Sequence, residues 1–196
     1  MILVITPEQK FPNETEIINQ MFQEGLDLLH IRKPGISKSE LTAFISNIDQ
    51  SFYPQLVLHT HYELGKEHNI SRFHYREADR EEKKYKPVVE EHTISTSVHD
   101  IRVYNRLEKE WEYAFISPFF PSISKKGYGE NTTVMEDINS RNNEHVKLIA
   151  LGGIDAENIQ KAFDAGADGA ALLGGIWERE EPLEAFMKCR KKVFYN

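Results

Sequence analysis

The sequence predicts an α/β fold, a single small (β/α)8 TIM barrel of eight parallel strands, and three observations predict it. Eight short apolar segments alternate with helix-period segments along 196 residues. Such alternation builds parallel βαβ units joined by right-handed crossovers. The apolar segments are continuous, as in strands covered on both faces. The last two, Leu148–Leu151 and Ala170–Leu173, each run into a glycine pair, Gly152–Gly153 and Gly174–Gly175. Glycine lets the backbone approach a ligand and aim N–H groups at it, and barrels hold phosphates in the loops after strands 7 and 8. The plainer reading is that these glycines only make tight turns. A doubly wound open sheet is the main alternative, but its glycine fingerprint follows strand 1, where this chain has Thr6-Pro7-Glu8.

The elements follow in order. Ile2–Ile5 reads as strand 1. Thr15 to Gln23 carries Ile17, Ile18, Met21 and Phe22 at helical spacing, with Gly25 as its stop. Leu26–Ile31 is strand 2 and leads into Arg32-Lys33-Pro34-Gly35. Ser37 and Glu40 form a capping box for the next helix, whose apolar face is Leu41, Phe44, Ile45 and Ile48. Gln55–His59 is strand 3, Tyr62 to His68 a short helix, and Arg72–Tyr75 strand 4. Residues 76–91 are charge-dense and poor in apolar residues, which predicts an exposed charged loop or frayed helix. Thr93–Val98 is strand 5. Ile101, Tyr104, Leu107 and Trp111 predict one amphipathic helix through residue 111. Tyr113–Ile116 is strand 6, followed by a loop from Ser117 to Glu130 and a weak helix over Met135–Arg141. Strands 7 and 8 flank a helix with Ile159, Ala162 and Phe163 inward, and Glu181 to Phe194 closes the chain as a helix. No linker divides residues 1–196, so one domain is expected.

Composition narrows the function. The net charge of −7 argues against a general nucleic-acid surface. A single Cys189 excludes an internal disulfide and a cysteine-based zinc site, and fits a reducing compartment. No apolar run approaches the roughly 18 residues of a membrane span. The chain starts on a strand-like MILVIT without a basic leader. The expectation is a cytoplasmic protein with small-molecule partners, no nucleic acid and no membrane; self-association into a homo-oligomer is left open.

In a parallel barrel the carboxyl ends of the strands face the active site. Those ends supply His30, Arg32 and Lys33 from strand 2, then His59, Thr60 and His61 from strand 3. Strand 4 supplies His74 and, further on, Asp79; strand 5 supplies Ser97 and His99. The strand 6 loop adds Ser122, Ser124, Lys125 and Lys126. This set is basic and hydroxyl-rich in an acidic chain, which suits an anionic ligand, and the Ser122–Lys126 run suits a diphosphate. Magnesium wants carboxylate oxygens, and Asp79 is the only acidic residue in the set. A histidine metal site is not expected, because no HxxxH-type spacing supports one.

The motifs LLHIRKP at 28–34, STSVHD at 95–100, SPFFPSISKKG at 117–127, LIALGGI at 148–154 and AGADGAALLGGI at 165–176 together resemble the thiamine phosphate synthase and TenI superfamily. The resemblance covers nearly the whole chain and implies a TIM barrel of thiamine biosynthesis. In the synthase branch, a hydroxymethylpyrimidine diphosphate ionises with help from magnesium, and a thiazole phosphate captures the pyrimidine cation. The resemblance implies that Arg32, Lys33 and Lys125, with His30, serve catalysis at the diphosphate. It implies Ser97, Ser122 and Ser124, with Gly153, Leu173 and Gly174, as substrate- and phosphate-binding positions, and Asp79 as a ligand of Mg2+. His30 stands where the synthase usually has Gln and looks more like the TenI branch. The synthase's Asn-Asp-Arg after strand 3 is here His59-Thr60-His61, so one magnesium aspartate is missing. Its glycine-rich motif after strand 4 is here RFHYREAD. The catalytic His of a TenI thiazole tautomerase would stand at Pro118. The implied activities are thus synthase-like coupling, a TenI-like tautomerase using His30, His59 or His99, or binding of thiamine-related phosphates without turnover.

Overall fold

The computed structural model describes residues 1–121, 123, 127 and 129–194. Eight strands close into a barrel in sequence order, with the last paired to the first. They are β1 (Ile2–Ile5), β2 (Leu28–Ile31), β3 (Leu56–Leu58), β4 (Arg72–Tyr75), β5 (Thr93–Val98), β6 (Trp111–Ile116), β7 (Lys147–Leu151) and β8 (Gly169–Leu172). All neighbouring pairs are parallel. Helices follow the strands: α1 (Glu14–Gln23), α2 (Lys38–Ser46), α3 (Leu64–His68), α4 (Glu77–Glu81), α5 (Ile101–Asn105), α6 (Val134–Asp137), α7 (Ile159–Asp164), α8 (Gly174–Trp177) and α9 (Pro182–Phe194). Both bonds of the capping box predicted at Ser37 and Glu40 are present at the start of α2.

Closure divides the core in two. Side chains alternate along a strand, so Leu3, Leu28, Val57 and Ile149 point into the barrel and pack as an inner cluster. Their neighbours Ile2, Leu29, Leu56 and Leu148 face outward beneath the helices, where Ile18, Met21, Ile45, Ile159 and Phe186 meet them. The inner cluster is completed by Ile5, Tyr113, Phe115 and Ala171, and it floors the site above it.

Two local expectations change. The helix expected through Trp111 ends at Asn105, and Trp111 opens β6. The register shifts here: Ile94 pairs with Trp111, but Ser95 pairs with Tyr113. The extra residue lets Trp111 face the outer core while Tyr113 points inward, a turn of face that a β-bulge produces. The 76–91 segment is not simply a charged loop. It holds α4 and a 3-10 turn over Lys86–Val88. Arg80 ties α4 to the barrel by donating to the Ser97 carbonyl at 2.8 Å. Tyr85 is buried against the Trp111 ring, 4.5 Å between centroids.

The glycine pair after β7 fits a close backbone approach. Phe119 and Phe120 donate their N–H groups to the carbonyls of Leu151 and Gly152 at 2.8 and 3.0 Å, which lays the strand 6 loop across this turn. Gly153 sits at φ +64°, and a Cβ there would stand 2.1 Å from the Pro121 carbonyl oxygen. Its first constraint is therefore protein against protein. Gly153→Ala is expected to destabilise the fold by roughly 2–4 kcal/mol, combining left-handed strain with overpacking. Gly35→Ala, at φ +76° with open space around it, should cost only about 1 kcal/mol. Urea unfolding of both variants checks this, and equal losses would remove the packing argument.

Candidate active site

Two residues beyond Leu28, Val57 and Arg72 stand His30, His59 and His74, so the strand period turns all three imidazoles into the upper barrel. His30 and His74 are 0 % and 2 % exposed, while His59 is half-buried at the mouth. The His59 and His74 rings stack with centroids 4.4 Å apart, and His30 meets both edge-on at 5.1 and 5.4 Å. Phe115 lies against His30 and His74 at 4.6 and 4.9 Å.

Five of the six ring nitrogens are engaged. His30 Nδ1 and His59 Nε2 share a hydrogen bond at 2.9 Å, and His30 Nε2 meets the Tyr113 hydroxyl at 2.8 Å. His74 bonds Ser95 Oγ through Nδ1 and Ser97 Oγ through Nε2, both at 2.9 Å. Ser95 in turn donates to the Phe73 carbonyl. A Ser95 hydroxyl committed to that carbonyl must accept from His74, which puts the His74 proton on Nδ1 and leaves the Nε2 lone pair for the Ser97 hydroxyl.

Burial holds all three imidazoles neutral. Desolvation is the largest cause in each case, and it lowers His74 to about 3. His74 further disfavours charge on His30 and His59, and Arg32 disfavours it on His74. The folded state therefore binds fewer protons than the unfolded chain below the ordinary histidine pKa. These groups contribute stability above about pH 6.5 that is lost progressively as pH falls from there toward 3. Burial also raises Tyr113 and Tyr62 above the usual phenol range.

Around this centre the sequence-predicted residues separate. Arg32 stands just past β2, its backbone N–H donating to Thr6 Oγ1 at 2.9 Å. Its side chain, 38 % exposed, pairs with Glu8. An exposed pair of this kind is worth little, so an incoming anion can replace Glu8. Ser97 is at the site, held by His74. Gly153, Leu173 and Gly174 mark the turns after β7 and β8; Leu173 packs on the inner cluster and Gly174 opens α8. Ser122, Ser124 and Lys125 lie outside the described residues. His99 is held beside the site by the Ser117 carbonyl at 2.7 Å, and His61 bonds the Ile36 carbonyl at 2.9 Å.

Lys33 is placed differently from the expectation of a diphosphate ligand. It is 8 % exposed, and its Nζ donates to Glu14 and to the Pro7 carbonyl, both at 2.9 Å. It is a strut between the end of β2 and α1. Asp79 also has partners of its own. Arg76 Nε holds one oxygen at 2.9 Å and Lys84 Nζ the other at 3.1 Å. The Arg76 hydrogen bond is the largest cause lowering its pKa; burial opposes it. A magnesium ion takes oxygen ligands, but the strand ends nearest Asp79 offer imidazole nitrogens and two cations already fill the carboxylate. Among the described residues, those around Asp79 do not fit magnesium.

Three histidines, for which no spacing motif supported a metal site, do come together. One ring nitrogen from each of His30, His59 and His74 lies within 4.8 Å of the other two. Helix-spacing rules miss such a set because it is assembled by strand adjacency, one residue from each of β2, β3 and β4. A usable clue was present: each histidine follows an inward residue by two.

A closed parallel barrel with its polar residues gathered at the carboxyl ends of the strands is a TIM barrel with its polar groups on the face where such barrels build their active sites. A sequence model of the family described as thiamine monophosphate synthase matches residues 2–176, and the chain belongs to that family. It is 21% identical over 187 residues to the thiamine-phosphate synthase of Bacillus velezensis, covering 90% of this chain and 83% of that one. Against the Staphylococcus haemolyticus thiamine-phosphate synthase it is 22% identical over 169 residues, 82% and 80% of the two chains. The crystal structure of a thiamine phosphate pyrophosphorylase from Bacteroides thetaiotaomicron superposes with a TM-score of 0.82 at 25% identity, covering 98% and 96%. One from Pyrococcus furiosus gives 0.78 at 18% identity, covering 98% and 94%, and shares the fold.

Removing Lys33 separates a strut from a ligand. Lys33→Ala should strand the Glu14 carboxylate and destabilise the protein by roughly 3–5 kcal/mol, and Lys33→Met with Glu14→Leu should recover most of the loss. Urea unfolding reads both. Wild-type stability in Lys33→Ala would overturn the strut assignment.

Proposed function

We propose that the chain acts in thiamine biosynthesis and couples hydroxymethylpyrimidine diphosphate to thiazole phosphate with release of pyrophosphate. The observation that carries this reading is the family match, which runs from β1 through the Gly174–Gly175 turn. In this reading the thiazole phosphate sits at the turns after β7 and β8, where Gly153, Leu173 and Gly174 stand. The diphosphate faces Arg32 and the cationic strand 6 loop carrying Ser122, Ser124 and Lys125. The pyrimidine lies over Ser97 and the histidines.

Its chemistry follows from charge. The C–O bond to the diphosphate breaks, and its electron pair leaves with pyrophosphate. The thiazole nitrogen then supplies the pair that forms the new C–N bond. A low-dielectric pocket favours fixed cations over water as the stabiliser of a developing leaving-group charge. Arg32 is such a cation. The neutral histidines let the pocket floor accept a flat heterocycle without placing a further positive charge beside a pyrimidine cation. The reaction is one of small metabolites in the cytoplasm.

A second reading is favoured by the His59–His30–Tyr113 hydrogen-bond chain. A line of shared protons suits a TenI-like tautomerase, in which one imidazole removes a proton from the thiazole precursor and another returns one.

The purified protein, incubated with both substrates, should form thiamine phosphate and pyrophosphate in equal amounts. Arg32→Ala should lower kcat/KM by roughly 100-fold, the usual loss of one stabilising donor. Saturable binding of thiazole phosphate without product would contradict coupling and leave a binding protein. Tautomer exchange followed by NMR, abolished in His30→Ala, would favour the second reading.

A further inference from the structure

The geometry points to a metal centre at the barrel mouth: His30, His59 and His74 form a three-nitrogen site for a borderline-soft divalent cation of the zinc class. One ring nitrogen from each already lies within 4.8 Å of the others. A tetrahedral zinc site with Zn–N near 2.0–2.1 Å needs its nitrogens about 3.3 Å apart. The His30–His59 contact at 2.9 Å must therefore open by about 0.4 Å, with His74 drawing in. Adjustments of this size lie within side-chain motion at a half-exposed ring such as His59.

The partners around the rings suit ligation. A ligating histidine donates its other ring N–H to a fixed acceptor, which sets its tautomer. Here His74 Nδ1–H has Ser95 Oγ, and Ser95 is anchored on the Phe73 carbonyl. His30 Nε2 has the Tyr113 hydroxyl. With protons on these outer nitrogens, His30 Nδ1, His59 Nε2 and His74 Nε2 are the ligating atoms, and loading requires His74 Nε2 to release the Ser97 hydroxyl and its ring to turn out of the stack on His59. Each imidazole keeps one proton, so loading shifts tautomers and releases none. Nearby arginines do not oppose a dication strongly: Arg32, Arg72 and Arg76 are each paired, with Glu8, Glu112 and Asp79. Three protein nitrogens leave one position toward the mouth for water or an anionic oxygen, the arrangement of an open rather than a structural site.

This inference does not rest on the coupling reaction, which a loaded site would disfavour by setting a dication beneath the pyrimidine cation, and its test reads the metal directly. Chelator-treated protein is titrated with Co2+, whose visible ligand-field band reports a low-coordinate nitrogen site. The band should saturate at one Co2+ per chain and be displaced by Zn2+. His59→Ala, changed at the mouth where folding is least at risk, should weaken binding by at least about 100-fold. His59→Asn serves as a second variant that keeps more of the ring volume. Ser95→Ala should weaken binding by about tenfold through the lost outer partner, while exposed His145→Ala leaves affinity unchanged. No band at one equivalent, or a band that survives in both folded His59 variants, would overturn the site.

Discussion

Three imidazoles packed inside a closed barrel have to share their protons, and this constraint organises the rest of the site. Charge on any one would be desolvated and would face the others, so all three stay neutral. Neutral imidazoles carry one proton for two nitrogens, and each nitrogen then needs a partner of the right kind. Tyr113 meets that need below His30, and Ser95 and Ser97 meet it on either side of His74. The β6 bulge matters for the same reason, because it brings Tyr113 inside. The hydrogen-bond chain thus reaches from the inner core to the half-exposed His59.

The family fold is retained, and one side of the mouth is lined by histidines. The turns after β7 and β8 carry the glycine pairs, and Arg32 stands just past β2. The β3 and β4 ends present imidazole nitrogen, and Asp79 beyond them is neutralised by Arg76 and Lys84. A cationic side chain can balance a carboxylate, but it cannot bridge to a substrate phosphate as a metal ion does. The synthase reading therefore places more of the leaving-group charge on Arg32 and the strand 6 loop than a magnesium-loaded site would.

Most of the fold was legible because strand and helix periods are local. Ile2–Ile5, Arg72–Tyr75 and Thr93–Val98 were readable to the residue, as was the capping box at Ser37. Trp111 was misread because a bulge is set by the neighbouring strand, not by its own spacing. Tyr85 was hidden in a charge-dense segment whose single aromatic anchor weighs little in composition. The placement of Arg32 and Ser97 at strand ends was readable. Lys33 was not, because its partner Glu14 lies 19 residues earlier and only closure of the first βαβ unit brings them together. The histidines were readable singly, as strand-end residues, but their grouping was missed for a related reason: they come from three strands, and spacing motifs describe ligands on a single element.

His30, His59 and His74 are neutral and hydrogen-bonded to one another or to fixed partners. Histidine side-chain 15N–1H correlation spectra of chelator-treated, 15N-labelled protein read this state. From pH 8 down to about pH 5, all three rings should keep one protonated and one unprotonated nitrogen, with the His74 proton on Nδ1. Titration of any of the three near the ordinary histidine pKa of about 6.5 would contradict it.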